Sequence, residues 1–430
     1  MNTMRQQNDD VPLVLPVSKE LLSGDTSSEV VRDRGHRAWL QTLGSFMIFF
    51  SSVGIANSFG VYLSYYLTEN TFNVSTSTVS WIGSLQSALC LAIGIVAGPL
   101  YDRGFFRTLV YAGSFLVVLG QMMLSLSTSY YQVFLSQGIC MGLGAGMTLV
   151  PAFCILITYF DRHLEMATGI ASMGGSIGGI LFPIIFSRTI DKIGFPWATR
   201  VIGLVLLVPL LIAAAVFRPV KKPPRPQALN HFIDWKMFKE PAFVSYLLGI
   251  FLLVLGLCIP IVYLESYASV IRIKNQALVS YILPIYLAAN TCGCFGINVF
   301  AKWLGPINLM VISTSLSGVM VFILLKVTTE SGLIFMVFIL GFLAAAPVSL
   351  QPALLVKISP DPRVIGSRIG CGYLASTLGN LVGPPIAGAI LDRYGYDATW
   401  IFSACMYLTA ASLFLICRGF LTRWKLFVAT

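Results

Sequence analysis

The chain has 430 residues, 56% of them apolar (AVILMFWYC) and only 11% charged, with a mean hydropathy of +0.81. A soluble protein carries roughly 25% charged residues, so these numbers exclude an ordinary cytosolic enzyme, a disordered chain and a fibrous repeat, and leave a polytopic helical membrane protein. The balance of 28 Lys+Arg against 18 Asp+Glu gives +10, which, with no polar basic domain to bind nucleic acid, points to charge sorted across a bilayer.

Residues 1–37 are polar and mixed in charge. They lack the apolar core of a signal peptide and are expected to form a cytosolic tail. Apolar stretches follow at 38–67, 78–100, 107–127, 131–158, 166–187, 198–217, 242–264, 277–300, 308–326, 332–356, 366–391 and 398–417. Each has about the 20 residues that a span requires. Each is apolar on all sides, unlike a soluble amphipathic helix, and none alternates like a barrel strand. Backbone groups in lipid must be satisfied within the segment, so these stretches predict helices. The expected fold is an all-α membrane protein of twelve transmembrane helices.

The longest polar break, 218–241, contains Arg218-Pro219-Val220-Lys221-Lys222-Pro223-Pro224-Arg225-Pro226, a linker rather than a span. The expected organisation is a tail (1–37), a six-helix bundle (38–217), a cytosolic linker (218–241), a second six-helix bundle (242–417) and a cytosolic tail (418–430). Internal repetition supports the division. Gly178–Pro183 is matched by Gly379–Pro384 and Gly169 by Gly370, both at an offset of 201, and the segment 98–103 is matched by 298–303 at 200. Two related six-helix halves are the mark of a duplicated transporter. With the N-terminus inside, only Arg188, Lys192, Arg200, Arg272, Lys274, Lys326 and Arg393 of the 28 basic residues fall outside. That bias predicts cytosolic termini, and Trp39, Trp81, Trp197, Trp303, Trp400 and Trp424 sit near span ends as interfacial anchors do; the expected location is the plasma membrane.

Chemistry-bearing clusters are scarce. The nine cysteines all fall in apolar stretches, which suggests no disulfide framework, and Cys292-x-Cys294 lacks the neighbours of a zinc site. The runs Gly142-x-Gly144-x-Gly146 and Gly174-Gly175-x-x-Gly178-Gly179 have no preceding strand or Walker lysine and are read as close helix packing. Neither an enzyme nor a nucleotide-driven pump is expected, and no cofactor or metal. Glu265, near the outer end of the seventh span, is a candidate proton site against the alternative of an interfacial residue beside Arg272 and Lys274. Asn57, Gln86, Gln121, Gln137, Asn290 and Asn380 are polar candidates for the substrate cavity. Asn73-Val74-Ser75 is a glycosylation sequon on the expected outer side.

Gly98-Pro99-Leu100-Tyr101-Asp102-Arg103-Gly104-Phe105-Phe106-Arg107 resembles the G-x-L-x-D-R…R loop of the major facilitator superfamily. The resemblance implies the major facilitator fold and a cytosolic gate in which Asp102 faces the positive N-terminal end of the eleventh helix, with Arg103, Arg107 and Arg368 completing a charge network. The second copy carries Lys302 and Trp303 in place of the acid and base, so the latch would rest on the first half. Asn57-Ser58-Phe59-Gly60, Ser80-Trp81-Ile82-Gly83-Ser84-Leu85-Gln86, Gly366-Ser367-Arg368-Ile369-Gly370 and Gly383-Pro384-Pro385 resemble fungal members of the monocarboxylate porter family.

Where animal proton-coupled members of that family carry a lysine in the first helix and an aspartate and arginine in the eighth, the resemblance places Asn57, Asn290 and Cys294. Its first, second and eighth helices line the path, so Asn57, Gln86, Asn290 and Cys294 rank first as cavity residues. All four are neutral, and a small carboxylate would be buried without a clamp. Two readings follow: export of a partly apolar specialised metabolite, favoured by the neutral cavity, or proton-linked movement of a monocarboxylate. The expected partners are a small organic molecule, the lipid bilayer and protons.

Overall fold

The computed structural model describes residues 35–68, 76–218, 235–270, 276–359 and 364–422. Those residues form helices α1 (His36–Asn57), α2 (Phe59–Thr68), α3 (Thr76–Ala92), α4 (Gly94–Asp102), α5 (Phe106–Leu124), α6 (Tyr130–Tyr159) and α7 (Leu164–Val216). The second half contains a short 3-10 turn (Trp235–Lys239), α8 (Pro241–Val270), α9 (Gln276–Leu304), α10 (Pro306–Leu324), α11 (Glu330–Ile358) and α12 (Ile365–Thr422). Ten helical runs among the described residues are long and apolar enough to cross a membrane. Two of them, α7 and α12, have 53 and 58 residues, nearly three times the length of one span.

Both long helices double back at a single glycine. Gly194 has φ 73° and Gly395 φ 78°, left-handed values that side chains resist. Going up α7, Gly174 lies against Phe46, Gly178 against Gly54 and Gly179 against Asn57, while Phe195 stacks on Tyr65 at 4.9 Å. Beyond the elbow the chain returns, so that Val216 O accepts from Gln41 Nε2. α12 does the same along α8: Gly379 meets Phe251, Tyr396 meets Tyr267, and Phe414 comes back to Gly249 and Tyr246. Each elbow holds the same four-residue pattern 201 residues apart, Asp191-Lys192-Ile193-Gly194 and Asp392-Arg393-Tyr394-Gly395. Divided there, the ten runs make twelve spans.

The span count rests on packing that small residues permit. The most extensive helix contacts are α1 with α7 and α8 with α12, corresponding pairs in the two halves. A Cβ on Gly54 would stand 2.7 Å from Gly178 Cα, too close for any side chain. α6 contains a π-helical stretch, Phe134–Met141, whose wider turn carries Gln137. Tyr66 donates to Gln137 Oε1 at 3.0 Å, and Gln121 Nε2 donates to Tyr62 at 3.0 Å and Thr199 O at 3.2 Å. Gln121 and Gln137 thus each use one end of the amide inside the first half, holding α2 to α5, α6 and α7, while Gln121 Oε1 and Gln137 Nε2 have no partner among the described residues.

Candidate functional site

The two halves meet along a seam at the end of the molecule from which residue 218 leaves and to which Trp235–Lys239 returns. Gly98 at the end of α4 and Gly366 at the start of α12 touch backbone to backbone. That approach brings Asp102 onto the N-terminus of α12. Its Oδ1 accepts from Gly366 N at 3.0 Å, and its Oδ2 accepts from Ser367 N at 2.9 Å and Ser367 Oγ at 3.0 Å. A carboxylate bonded to the first N–H groups of a helix sits where the helix dipole favours negative charge. Arg103 caps α4. Arg107 is exposed on the first turn of α5 and takes no part in the Asp102 contact.

Arg368 belongs to a different contact from the one expected of it. Its NH2 and NH1 groups donate to Glu240 Oε1 and Oε2 at 2.6 and 2.8 Å, and NH1 reaches Ile358 O at 3.4 Å. The guanidinium lies over the Phe243 ring at 5.1 Å, and the residue is only 2% exposed. A planar bidentate fork of this kind selects one carboxylate by geometry, and that carboxylate is Glu240, not Asp102. Arg368 thus joins the beginnings of α8 and α12 to the end of α11, all within the second half. Sequence reasoning missed Glu240; its signal was a lone acid immediately before the seventh apolar stretch.

Along the seam, α7 faces α9 through neutral polar groups. Ser176 Oγ donates to Asn290 Oδ1 at 2.8 Å, and Asn290 Nδ2 donates to Gly341 O on α11 at 3.2 Å. Cys294 is fully buried, with its carbonyl against Gly169 and accepting from Asn298 Nδ2 at 2.6 Å. Asn298 Nδ2 also donates to Ser349 Oγ at 2.7 Å. Lys357 of α11 and Glu165 of α7 stand 3.9 Å apart across the same seam. In this structure Asn290 and Cys294 are therefore seam residues, with Asn290's amide already engaged.

Asn57 is different. It is exposed at the break between α1 and α2, where Ser58 Oγ turns back to Ile55 O at 2.7 Å. Asn57 and Leu287 of the second half both lie against Gly179, so Asn57 stands close to the other half with an open side. Gln86 is 1% exposed and, among the described residues, neither atom of its amide has a hydrogen-bond partner. Its backbone packs on Gly142, just past the π-helical stretch. Asn380 accepts from Cys258 Sγ at 2.8 Å, linking α12 to α8. Glu265 lies within α8, but its side chain is outside the described residues, as is Asn73. Among the described residues no group of His, Cys, Asp and Glu has the arrangement of a metal site.

Comparison with known proteins agrees with this architecture. The sequence matches the Major Facilitator Superfamily over residues 42–329 and 304–423. It is 40% identical over 383 residues to the "MFS-type transporter dbaD" of Emericella nidulans, covering 88% of this chain and 85% of that one. It is 32% identical over 410 residues to the "Aspyridones efflux protein apdF" of the same organism, covering 95% and 82%. The fold superposes on the human organic anion transporter MFSD10 (TETRAN) with a TM-score of 0.70 at 15% identity, over 89% of this chain and all of that one. This chain belongs to the major facilitator superfamily. It is accordingly a multi-pass membrane transporter and not an enzyme.

Proposed function

We propose that this chain exports a specialised metabolite, a partly apolar organic compound larger than a simple carboxylic acid, by alternating access between its two halves. The neutrality of the path carries the reading. Asn57, the cavity candidate with an open side, brings no charge to hold a carboxylate. Burying an anion there unpaired costs several kcal/mol. A fungal relative named for the efflux of aspyridones supports the same class. The motif run Ser80–Gln86 supports, on our reading, a monocarboxylate porter-like branch whose cavity has lost its charges.

In the same proposal the linker end is cytosolic and both termini lie inside, because 21 of the 28 basic residues fall on the linker side by the span order, and the membrane is the plasma membrane, where an exporter would act. Asp102 then latches the cytosolic end by holding the start of α12, while Gln86 and Asn57 contact substrate. Protons are the coupling ion, and Glu265 is their candidate carrier. Proteoliposomes loaded with aspyridones or other partly apolar fungal specialised metabolites test the scheme. Export should depend on a pH gradient in the wild type and lose that dependence in Glu265→Gln. Movement of lactate or pyruvate in preference to all such compounds would overturn the export reading, and gradient-independent flux would overturn proton coupling.

A further inference from the structure

Deeper in the span than the Asp102 contact, the two halves meet at a pair of rings. Phe153 of α6 and Tyr373 of α12 stack across the seam, with ring centres 6.2 Å apart and planes 21° from parallel. Phe49 of α1 meets Phe153 edge to face at 4.5 Å, and all three rings are buried. Tyr373 is six residues beyond Ser367, about 9 Å further along α12. The backbones beside it are close. A Cβ on Gly94 of α4 would stand 3.4 Å from Tyr373 Cβ and 3.5 Å from Gly370 Cα, so the closed end holds the rings together.

Away from the rings, exposure grows along the helix faces that bear them. Phe49, Val53 and Asn57 follow one another at four-residue steps on α1, from buried to half-buried to exposed. Tyr373 and Asn380, seven residues apart on the same face of α12, go from buried to half-buried. The space between these faces therefore widens toward the end opposite the Asp102 contact, and the rings are its floor. We propose that Phe153 and Tyr373 select the cargo, favouring compounds that carry a flat, conjugated ring. The assignment rests on the reading that a partly apolar organic compound passes between the halves. Opening the closed end parts the two ring faces, and each loses its partner. A flat π-system entering there restores offset or edge-on ring contacts to both. A saturated ring of the same size is puckered; it recovers the apolar burial but not the ring–ring contact. Selection is then by shape and π-electrons and not by charge, which suits the neutral Asn57 above.

The test uses the full-length protein, purified in detergent, and two neutral probes that differ only in the ring, 2-naphthyl β-glucoside and its decahydro counterpart. Thermal unfolding at increasing probe concentration gives an affinity for each. The wild type should bind the naphthyl probe about three- to tenfold more tightly, the worth of one ring–ring contact. Phe153→Leu and Tyr373→Leu should each remove that preference, whereas Tyr373→Phe, which keeps the ring, should retain it. A plug that only closes the path gives no difference between the probes in any variant. Equal affinities in the wild type, no binding of either probe, or a preference undiminished in both leucine variants would each overturn the assignment. If the leucine variants fail to fold, the wild-type and Tyr373→Phe affinities decide it. Proteoliposome flux separates this assignment from the export reading. Export without the ring preference overturns the assignment alone, and transport of lactate with the ring preference overturns the export reading alone.

Discussion

Cys294 shows how far a single residue's meaning depends on its surroundings. By its resemblance to the monocarboxylate porters it falls where their animal proton-coupled members carry an arginine, and restoring that arginine suggests itself as a route to carboxylate transport. In the structure Cys294 is fully buried on α9, with its backbone against Gly169 of α7. A guanidinium there would be an uncompensated charge in a closed seam, at a cost of several kcal/mol. Cys294→Arg should therefore lower the thermal unfolding midpoint by several degrees and not create lactate transport. An unchanged midpoint together with gained lactate flux would show that the cavity reaches this position. The neutral character of Asn57, Asn290 and Cys294 was legible in the sequence. Their division into one open residue and two seam residues was not, because helix rotation about the span axis sets which face meets the other half, and a segment apolar on all sides carries no periodicity to reveal it.

At the scale of the element, the short helix α4 and the first turn of α12 make one unit. Three hydrogen bonds from Gly366 and Ser367 converge on one carboxylate, each charge-assisted and together worth about 1–3 kcal/mol against water. Asp102→Ala should shift the equilibrium away from the state closed at this end by about tenfold or more. Buried Cys294 reports the change. Site-resolved alkylation of that thiol, followed by mass spectrometry, should run correspondingly faster in the variant, and an unaltered rate would mean that Asp102 does not hold the seam. The Asp102 loop could be recognised by its resemblance to the superfamily's loop, because its glycine, proline and acid lie in one short run. The Arg368 partner could not. Glu240 is 128 residues away, and only folding shows that the beginnings of α8 and α12 are neighbours.

The whole molecule follows its hydropathy closely: twelve apolar stretches correspond to twelve spans in two related halves. What hydropathy obscures is how the fifth and sixth spans of each half are joined. The charged segments 188–197 and 392–397 read as loops, yet the chain leaves the helix there at one left-handed glycine apiece, Gly194 and Gly395, and each of α7 and α12 is two helices joined at that glycine. Short-range sequence signals favour a loop wherever charge interrupts an apolar run. Here the break is as short as it is because each elbow needs only one residue with positive φ.

Those elbows bear on how the chain enters a membrane during synthesis. A tight helical hairpin leaves no long polar loop to thread, so two spans can partition together, and only the tip must cross. Each tip sets an acid beside a base, Asp191 with Lys192 and Asp392 with Arg393, so the pair transfers no net charge whichever way the hairpin is carried. Arg188 lies just before the first tip, which makes that hairpin the more sensitive of the two. Removing one acid upsets the neutrality. Asp191→Asn leaves the first tip with uncompensated Lys192, and basic residues resist translocation. The fraction of newly made chains with this hairpin inverted, measured by protease protection in microsomes, should rise for Asp191→Asn and return to the wild-type level when Lys192→Gln is added. Equal protection in all three would show that the tip charges play no part in insertion.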